Sequence, residues 1–339
     1  MKLLNFRTPE TTNVRFGIIL DNRAVSFEAI QNKYGHIYPE LTSMESYLQN
    51  HPVSYEIAQQ LELFAQSIKE ELLKTESFEL TKIDILPPVL KSPALLDFGL
   101  SPRHLKNAAR TLVDYELRQP LRMIAKIFID FLYKKELKQR NYRYYKGNHN
   151  AIVGDNHVLA WPPFTSYLDI EPELGIVVGG SSQNIAGYII FNDISARDIQ
   201  FREMLGMGGP AQCKDFDKSK QIGPFLVTPD EVPNPLSLSV QVKIGERYIW
   251  SGTTADYSCH PSDVIRYLSG FQTLLPGTII GIGTIPDCCG LENDKWLLPN
   301  EKIEITIENL GSLHLLIEEP IKKLSNTHWK IREDMKKFY

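Results

Sequence analysis

The feature that most constrains this 339-residue chain is an apolar run with two glutamates inside it, residues 167–179 with the sequence YLDIEPELGIVVG. The run predicts a β-strand. Side chains two positions apart lie on the same face of a strand, so Glu171 and Glu173 would stand next to each other. Two like charges at that spacing require a cation. The alternative is that both face water on an exposed sheet edge, where Pro172 would be tolerated.

The residues after this strand predict a hairpin that adds a third carboxylate. A turn at 179–184 leads into an apolar return strand at 185–191 and then into the run NDISARDIQ at 192–200. A hairpin of this length would bring Asp193 back beside the two glutamates. No cysteine or clustered histidine is near these carboxylates in the sequence. The oxygen-only set therefore predicts a site for Mg²⁺ or Mn²⁺, with Ca²⁺ as an alternative, rather than for Zn²⁺.

The N-terminal part predicts a small β-rich domain with a helical segment. Short strands and a hairpin signature occupy the first 40 residues, and helical spacing covers 43–75 with an interruption at His51-Pro52. The paired prolines Pro87-Pro88 indicate a connector. We place a domain boundary there, between residues 1–88 and residues 89–339.

The larger part predicts an α+β fold that is mostly β. A short apolar strand ends at Asp97, and a helical region at about 104–139 follows it, with a break near Pro120. From residue 150 onward, short strands alternate with Gly, Pro and Asp turns. The helical region is therefore an insert in a chain of strands.

Composition excludes several classes of protein. The chain carries 37 Lys+Arg and 41 Asp+Glu, so 37 − 41 gives a net charge of −4, which argues against nucleic acid as a partner. Disorder is excluded by 42% apolar and 23% charged residues. No apolar run approaches the roughly 20 residues of a membrane span, and charge interrupts the first residues too early for a signal peptide. We expect a cytoplasmic protein with four reduced cysteines and no membrane contact.

Four runs resemble the fumarylacetoacetate hydrolase family and occur in that family's order across residues 90–318. They are LDIEPELGIVVG (168–179), NDISARDIQ (192–200), CKDFDKSKQIGPFLVTPD (213–230) and PGTIIGIGT (276–284). The resemblance implies a catalytic domain of the mixed β-sandwich roll type that this family has, after a small N-terminal domain. It also implies that Glu171, Glu173 and Asp193 hold a divalent metal ion.

A further motif of the family, D-F followed by five residues and H, matches Asp97 to His104. The match implies that Asp97 is a fourth metal ligand and that His104 is the catalytic base. Without the motif, a lone histidine at a helix start is more often structural. The resemblance names Glu292 as the residue that orients His104, although a surface turn is the alternative for Glu292.

The same resemblance suggests four more residues. Lys214 matches a lysine that stabilises negative charge developing on the substrate, while Arg197, Gln200 and Thr284 match positions that contact the substrate. Arg197 could instead form a structural ion pair with Asp198 or another carboxylate. Cys288-Cys289 would be a possible nucleophile, but no histidine is near it in the sequence and the family's chemistry does not require a thiol.

The implied activity is metal-dependent hydrolysis of a C–C bond in a 1,3-dicarbonyl acid, such as an acylpyruvate or fumarylacetoacetate. The alternatives on the same scaffold are an isomerase, a decarboxylase or lyase of 2-oxo acids, and a metal-binding protein without turnover. Gly99 and Met204 stand where fumarylacetoacetase has tyrosines, so the pocket is not expected to be tuned to fumarylacetoacetate. A homodimer is expected from the family.

Overall fold

The computed structural model describes residues 1–136, 142–180, 184–206, 209–325 and 329–339. Within these ranges, the chain forms α-helices and three β-sheets, of twelve, five and two strands. The predicted mixed fold with several sheets is confirmed. No helix within these ranges is long and apolar enough to cross a bilayer.

The N-terminal 88 residues contain five short strands and four helices. The strands are β1 (Lys2–Arg7), β2 (Arg15–Leu20), β3 (Arg23–Ser26), β4 (Ser77–Glu79) and β5 (Asp84–Leu86), and the helices are α1 (Phe27–Tyr34), α2 (Met44–Gln49), α3 (Val53–Ser67) and α4 (Lys69–Thr75). The predicted helical segment is thus present and is interrupted between α2 and α3, at His51-Pro52.

The remaining elements carry the predicted strand pattern and the helical insert. The strands are β6 (Leu95–Phe98), β7 (Tyr144–Gly147), β8 (Ile152–Val153), β9 (His157–Ala160), β10 (Leu168–Asp169), β11 (Pro172–Gly179), β12 (Asn184–Asp193), β13 (Ser195–Ala196), β14 (Lys220–Val227), β15 (Ser239–Ile244), β16 (Tyr248–Thr253), β17 (Ile279–Thr284), β18 (Lys302–Ile307) and β19 (Gly311–Glu318). The helices are α5 (Pro102–Glu116), α6 (Leu121–Glu136), α7 (Arg197–Leu205), α8 (Pro261–Ser269) and α9 (Gly290–Asn293).

The twelve-stranded sheet runs through both parts of the chain. Its order is β4-β3-β2-β1-β14-β12-β11-β17-β6-β7, with β5 added beside β1 and β8 beside β14. The link between the two parts is the antiparallel pairing of β1 with β14, in which Lys2 lies opposite Val227. The domain boundary at residue 88 stays a prediction, and it would divide one continuous sheet.

Strand β11 lies in the middle of this sheet and is buried on both faces. It pairs antiparallel with β12 on one side and with β17 on the other. Ile176 packs into the core between the sheets, while its neighbour Val177 packs into the core under the N-terminal helices. Two buried faces explain why the run is apolar at successive positions rather than at alternate ones. The alternative of an exposed edge strand is wrong.

The helical insert is a pair of packed helices, α5 and α6, with the break at Pro120 that the sequence predicts. The Ser101 hydroxyl caps α5 by accepting a hydrogen bond from the amide of His104, and Pro102 occupies the first turn. Ion pairs of Arg110 with Asp130 (2.6 Å) and of Lys126 with Asp114 (2.5 Å) join the two helices. Residues 137–139 of the predicted insert lie outside the described residues.

Candidate active site

The candidate site forms where the ends of five neighbouring strands meet. Because β11 is antiparallel to β12 and β17, its first residues lie beside the last residues of both. Glu173 is therefore opposite Thr284, and Asp193 at the end of β12 is opposite Lys220 at the start of β14. Asp97 on β6 is next in line, because β6 pairs in parallel with β17. Residues far apart in the chain thus converge at one edge.

Two lysines contact the acidic residues at this edge. The Lys214 ammonium group contacts the carboxylates of Glu171 and Asp193 and lies 2.9 Å from the Ser195 hydroxyl. The second lysine, Lys220, contacts the other oxygen of Asp193. All of these side chains are buried. Asp193 therefore lies between two ammonium groups.

The pKa shifts divide the four carboxylates into two pairs. Burial raises the pKa of Glu171, but Arg197 and Lys214 outweigh burial and hold this pKa well below its usual value. The pKa of Asp193 is also lowered, because its two lysines outweigh burial. Burial and the charge of Asp193 instead raise the pKa of Asp97 to about 8.

Glu173 belongs with Asp97. Burial, followed by the charges of Asp97 and Asp193, holds the pKa of Glu173 well above its usual value. Its carboxylate accepts a hydrogen bond from the Gly283 amide at 2.8 Å and a longer one from the Thr284 hydroxyl at 3.5 Å. The side of the site that holds Asp97 and Glu173 is thus short of positive charge.

His104 and Glu292 form a hydrogen-bonded pair next to the carboxylates. His104 Nδ1 lies 2.6 Å from Glu292 Oε1, and His104 Nε2 lies 3.5 Å from Glu171 Oε1. The other oxygen of Glu292 accepts a hydrogen bond from the Asn107 amide group at 2.9 Å. Burial lowers the pKa of His104, but the hydrogen bonds and charges of Glu171 and Glu292 outweigh it and raise the pKa to about 9. The Glu292 side chain is 2% exposed, so the surface-turn alternative is wrong.

Arg197 connects the carboxylate cluster to the helix that carries Glu292. Its guanidinium group pairs with Asp169 and Glu171, each at 2.8 Å, and donates to Gln200 at 2.9 Å. Asp169 in turn accepts hydrogen bonds from the first two amides of α9, those of Gly290 (2.6 Å) and Leu291. The ion-pair alternative for Arg197 is therefore present, although with these two carboxylates and not with Asp198. One atom, Arg197 Nη2, has no hydrogen-bond partner among the described residues.

A cavity of about 320 Å³ opens onto these groups. Its lining includes the polar side chains of Asp97, Glu171, Glu173, Lys214, His104 and Arg197. Tyr133, Arg143, Tyr144 and Tyr145 also line it, together with an apolar wall from α5 and α7. The wall residues are Leu105, Ala108, Ala109, Leu112 and Met204. Gly99 and Met204, the two positions at which the sequence departs from fumarylacetoacetase, both line the cavity.

The structure brings all ten predicted site residues into one connected region. Eight of them line the cavity. Asp193 contacts Lys214, and Glu292 contacts His104, so these two residues are each one contact away from it. The ten residues are Asp97, His104, Glu171, Glu173, Asp193, Arg197, Gln200, Lys214, Thr284 and Glu292.

Three residues of the site were missed by the sequence analysis. Tyr145 donates to Asp193 at 2.7 Å and accepts from Lys220 at 2.8 Å, and Asp169 holds both Arg197 and α9. Lys220 gave a usable signal, because it is a charged residue at the start of a mostly apolar strand, as Glu173 is in β11. Tyr145 gave none, since its position depends on the pairing of β7 with Asp97 on β6.

The donor set of the cluster fits a hard divalent cation. Asp97, Glu171, Glu173 and Asp193 offer carboxylate oxygens only, as Mg²⁺ and Mn²⁺ prefer, and the raised pKa values of two of them indicate a shortage of positive charge. Within the part of the chain that the structure describes, the ligand atoms of these four carboxylates do not all come together at one point. The Lys214 ammonium group contacts two of them, Glu171 and Asp193. The group of three ligand-type side chains that does converge, within 4.8 Å, is His104, Cys289 and Glu292.

Comparison with known proteins identifies the family to which this fold belongs. The family described as "Fumarylacetoacetate (FAA) hydrolase C-terminal" matches residues 130–317, more than half of the chain. The chain therefore belongs to the fumarylacetoacetate hydrolase family. An uncharacterized protein of Staphylococcus aureus strain USA300 is 25% identical over 330 residues, which cover 92% of this chain and 98% of that protein.

Solved structures with the same fold include enzymes of different reaction types. The 2-keto-3-deoxy-D-arabinonate dehydratase is 25% identical, with a TM-score of 0.63, over 95% of this chain and 100% of the other. The maleylpyruvate hydrolase of Sphingobium sp. SYK-6, in complex with manganese(II) and pyruvate, is 18% identical, with a TM-score of 0.62, over 94% and 100%. The 2-hydroxyhepta-2,4-diene-1,7-dioate isomerase of Mycobacterium marinum is 22% identical, with a TM-score of 0.61, over 95% and 100%.

Proposed function

We propose that this protein is a metal-dependent hydrolase that cleaves a C–C bond in a 1,3-dicarbonyl acid of the acylpyruvate class. The observation that carries the proposal is the buried His104–Glu292 pair, which directs the second imidazole nitrogen toward the carboxylate cluster. A neutral histidine oriented by a carboxylate is the arrangement that takes a proton from water. The raised pKa of His104 depends in part on the charge of Glu171, and a divalent ion held by Glu171 would offset that charge and bring the pKa back toward neutrality. An isomerase or a decarboxylase would not need a water-activating base.

We propose that Asp97, Glu171, Glu173 and Asp193 hold Mg²⁺ or Mn²⁺, with Ca²⁺ as the less favoured ion. When bound, the ion supplies Lewis-acid stabilisation of the negative charge on the two substrate carbonyl oxygens. The support is the oxygen-only donor set together with the raised pKa values of Asp97 and Glu173. Glu171→Gln is expected to weaken ion binding and activity together.

In the proposed reaction, His104 Nε2 accepts a proton from water while Glu292 keeps the other proton on Nδ1. The water oxygen bonds to the acyl carbonyl carbon, and the C–C bond to the next carbon breaks. The bond's electron pair passes into an enolate, whose charge the Lys214 ammonium group stabilises. His104 then returns the proton to the enolate carbon. Acylpyruvate and water give a carboxylic acid and pyruvate, so atoms and charges balance.

Substrate binding is assigned to Arg197, Gln200 and Thr284, which all line the cavity. The unpartnered Nη2 atom of Arg197 supports this assignment, because a buried donor without an acceptor gains from a substrate oxygen. The apolar wall supports an acyl group that is apolar where it contacts α5 and α7. A homodimeric state and a cytoplasmic location remain predictions from the sequence and the family.

A second candidate is a lyase that eliminates water from a 2-keto-3-deoxy acid. It is favoured by the 25% identity with the arabinonate dehydratase over 95% of the chain. No water has to be activated in such a reaction, so it does not require His104 as a base toward water. The two candidates therefore differ in whether His104 is needed and in the number of products.

The test is a product assay with the purified protein in Mg²⁺ or Mn²⁺. Acylpyruvates of increasing chain length, fumarylacetoacetate, oxaloacetate and a 2-keto-3-deoxy sugar acid are compared by loss of absorbance and by identification of products. Release of pyruvate with a second acid, abolished in His104→Ala but not in the exposed control His36→Ala, is expected. A single dehydrated product or carbon dioxide alone would contradict the hydrolase. Full activity in His104→Ala would remove the base assignment.

A further inference from the structure

A second cluster of metal-ligand side chains lies behind His104, away from the carboxylates. Cys289 Sγ lies 4.0 Å from His104 Nδ1 and 3.7 Å from Glu292 Oε1, and the latter two atoms are 2.6 Å apart. Sulfur, imidazole nitrogen and carboxylate oxygen together are the ligands of Zn²⁺ and Cd²⁺, whereas Mg²⁺ avoids sulfur. We propose that Cys289, His104 and Glu292 form a soft-metal site whose occupation by Zn²⁺ or Cd²⁺ switches off the His104 base.

The distances are close to those of a tetrahedral site. With Zn–S of about 2.3 Å and Zn–N or Zn–O of about 2.1 Å, tetrahedral angles place the ligand atoms about 3.4–3.6 Å apart. The two distances to sulfur exceed this range by less than half an ångström, and the His104–Glu292 distance has to lengthen by less than one. In the proposal these shifts come from small side-chain rotations, because Asp169 holds the backbone of α9 in place.

The backbone that carries two of the ligands is already fixed. Cys289 and Glu292 are three residues apart on the turn that forms α9, so their side chains lie on the same side of it. The Asp169 carboxylate holds this turn through the amides of Gly290 and Leu291, at 2.6 and 2.9 Å. The site is therefore not a lone cysteine but three ligands, two of them on a turn anchored by its own hydrogen bonds.

The charges of the ligands match a divalent ion. The thiol of Cys289 loses its proton to solvent when a metal binds, as thiol ligands do. One thiolate and one glutamate then cancel the two positive charges, which matters because Cys289 is fully buried and the His104 and Glu292 side chains are 7% and 2% exposed.

Occupation of this site changes the protonation of His104. A metal ion on Nδ1 takes the lone pair there, so the single proton of the neutral ring moves to Nε2. Nε2 can then no longer accept a proton from water. This inhibitory consequence rests on the proposed function, whereas metal binding by the three side chains does not.

The binding half is tested with Cd²⁺ alone, through the ultraviolet charge-transfer band of a cadmium–thiolate bond. One equivalent per chain is expected to give the band in the Mg²⁺-loaded wild type and in Cys288→Ser, a buried neighbour, but not in Cys289→Ser. Glu292→Gln is expected to weaken Cd²⁺ binding, which provides a second variant if Cys289→Ser fails to fold. No band in the folded wild type, or a band that survives in Cys289→Ser, would overturn the site.

The inhibitory half is tested by the rate after incubation with one equivalent of Cd²⁺, each variant compared with its own rate in Mg²⁺ alone. A fall of about a hundredfold is expected in the wild type and in Cys288→Ser, because that is the order of magnitude that a general base contributes. A cadmium–thiolate band without loss of rate overturns the inhibitory half, whereas the assignment of His104 as base is decided separately by the activity of His104→Ala. The band in a protein without turnover still supports the site itself.

Discussion

Replacing Arg197 by methionine should cost stability, because it leaves two buried carboxylates without their shared cation. Arg197 is 1% exposed, and its guanidinium group lies 2.8 Å from Asp169 and 2.8 Å from Glu171. Removing one partner of a buried ion pair costs about 3–5 kcal/mol. Asp169 keeps three backbone amide donors, those of Ile170, Gly290 and Leu291. The expected loss is therefore at the lower end, about 3 kcal/mol.

The measurement is the free energy of unfolding in urea, followed by tryptophan fluorescence in chelator at neutral pH. The matched control is Arg266→Met, because Arg266 is 74% exposed and pairs with Asp263 three residues away, and such pairs contribute about 0–1 kcal/mol. Arg197→Lys should fall between the two, since it keeps the charge but cannot hold both carboxylates with one planar group. A loss in Arg197→Met no larger than in the control would refute the argument from buried charge.

Three further predictions follow from the same structure. Gly283 has φ +113, and an added Cβ would lie 2.8 Å from the Leu100 amide nitrogen, so Gly283→Ala should lower the free energy of unfolding by about 2–3 kcal/mol. The control is Gly35→Ala, where φ is +82 but the space is open, and its expected loss is about 1 kcal/mol. Burial, followed by the charge of Lys218, lowers the pKa of His157 to about 4, so protonation favours the unfolded chain and stability is lost as the pH falls from 6.5 towards 4. Because this ring is only half buried, His157→Gln should reduce the stability difference between pH 7 and pH 5 by about 1 kcal/mol, and an unchanged difference would contradict the assignment. Mg²⁺ at a hundred times its dissociation constant should stabilise the folded wild type by about 2.7 kcal/mol and so raise its melting temperature. The melting temperature of Glu171→Gln should not rise.

The sequence predicts well the structural features that depend on residues close together in the chain. The hairpin that returns Asp193 to the glutamates and the helix break at Pro120 both follow from local patterns. The predicted strand is interrupted before Pro172, so Glu171 lies just ahead of β11 and only Glu173 lies within it. The local pattern could not decide whether β11 is an edge strand. That depends on β17, which joins it from more than a hundred residues later in the chain.

The residues missed by the sequence are those placed by pairing between distant strands. Tyr145 reaches Asp193 only because β7 pairs with β6, where Tyr145 is opposite Asp97. Lys220 reaches it because β14 pairs with β12. Neither contact can be predicted from the spacing of residues within one segment of the sequence. Both involve Asp193, a carboxylate that the resemblance assigns to the metal. Family motifs predict the ligands, whereas the residues that contact those ligands are placed by the pairing of the strands.

The two carboxylates bound by Arg197 connect the proposed base to the proposed metal site. Glu171 lies next to Nε2 of His104. Asp169 accepts a hydrogen bond from α9, the helix whose Glu292 contacts Nδ1 of the same ring. The buried guanidinium group of Arg197 thus helps to position both carboxylates that flank the His104 ring, Glu171 directly and Glu292 through Asp169. A small shift of Arg197 would move Glu171 and Glu292 together, so its loss should impair ion binding and His104 orientation at once. Loss of ion binding alone would show that Asp169 holds α9, and with it Glu292, without help from Arg197.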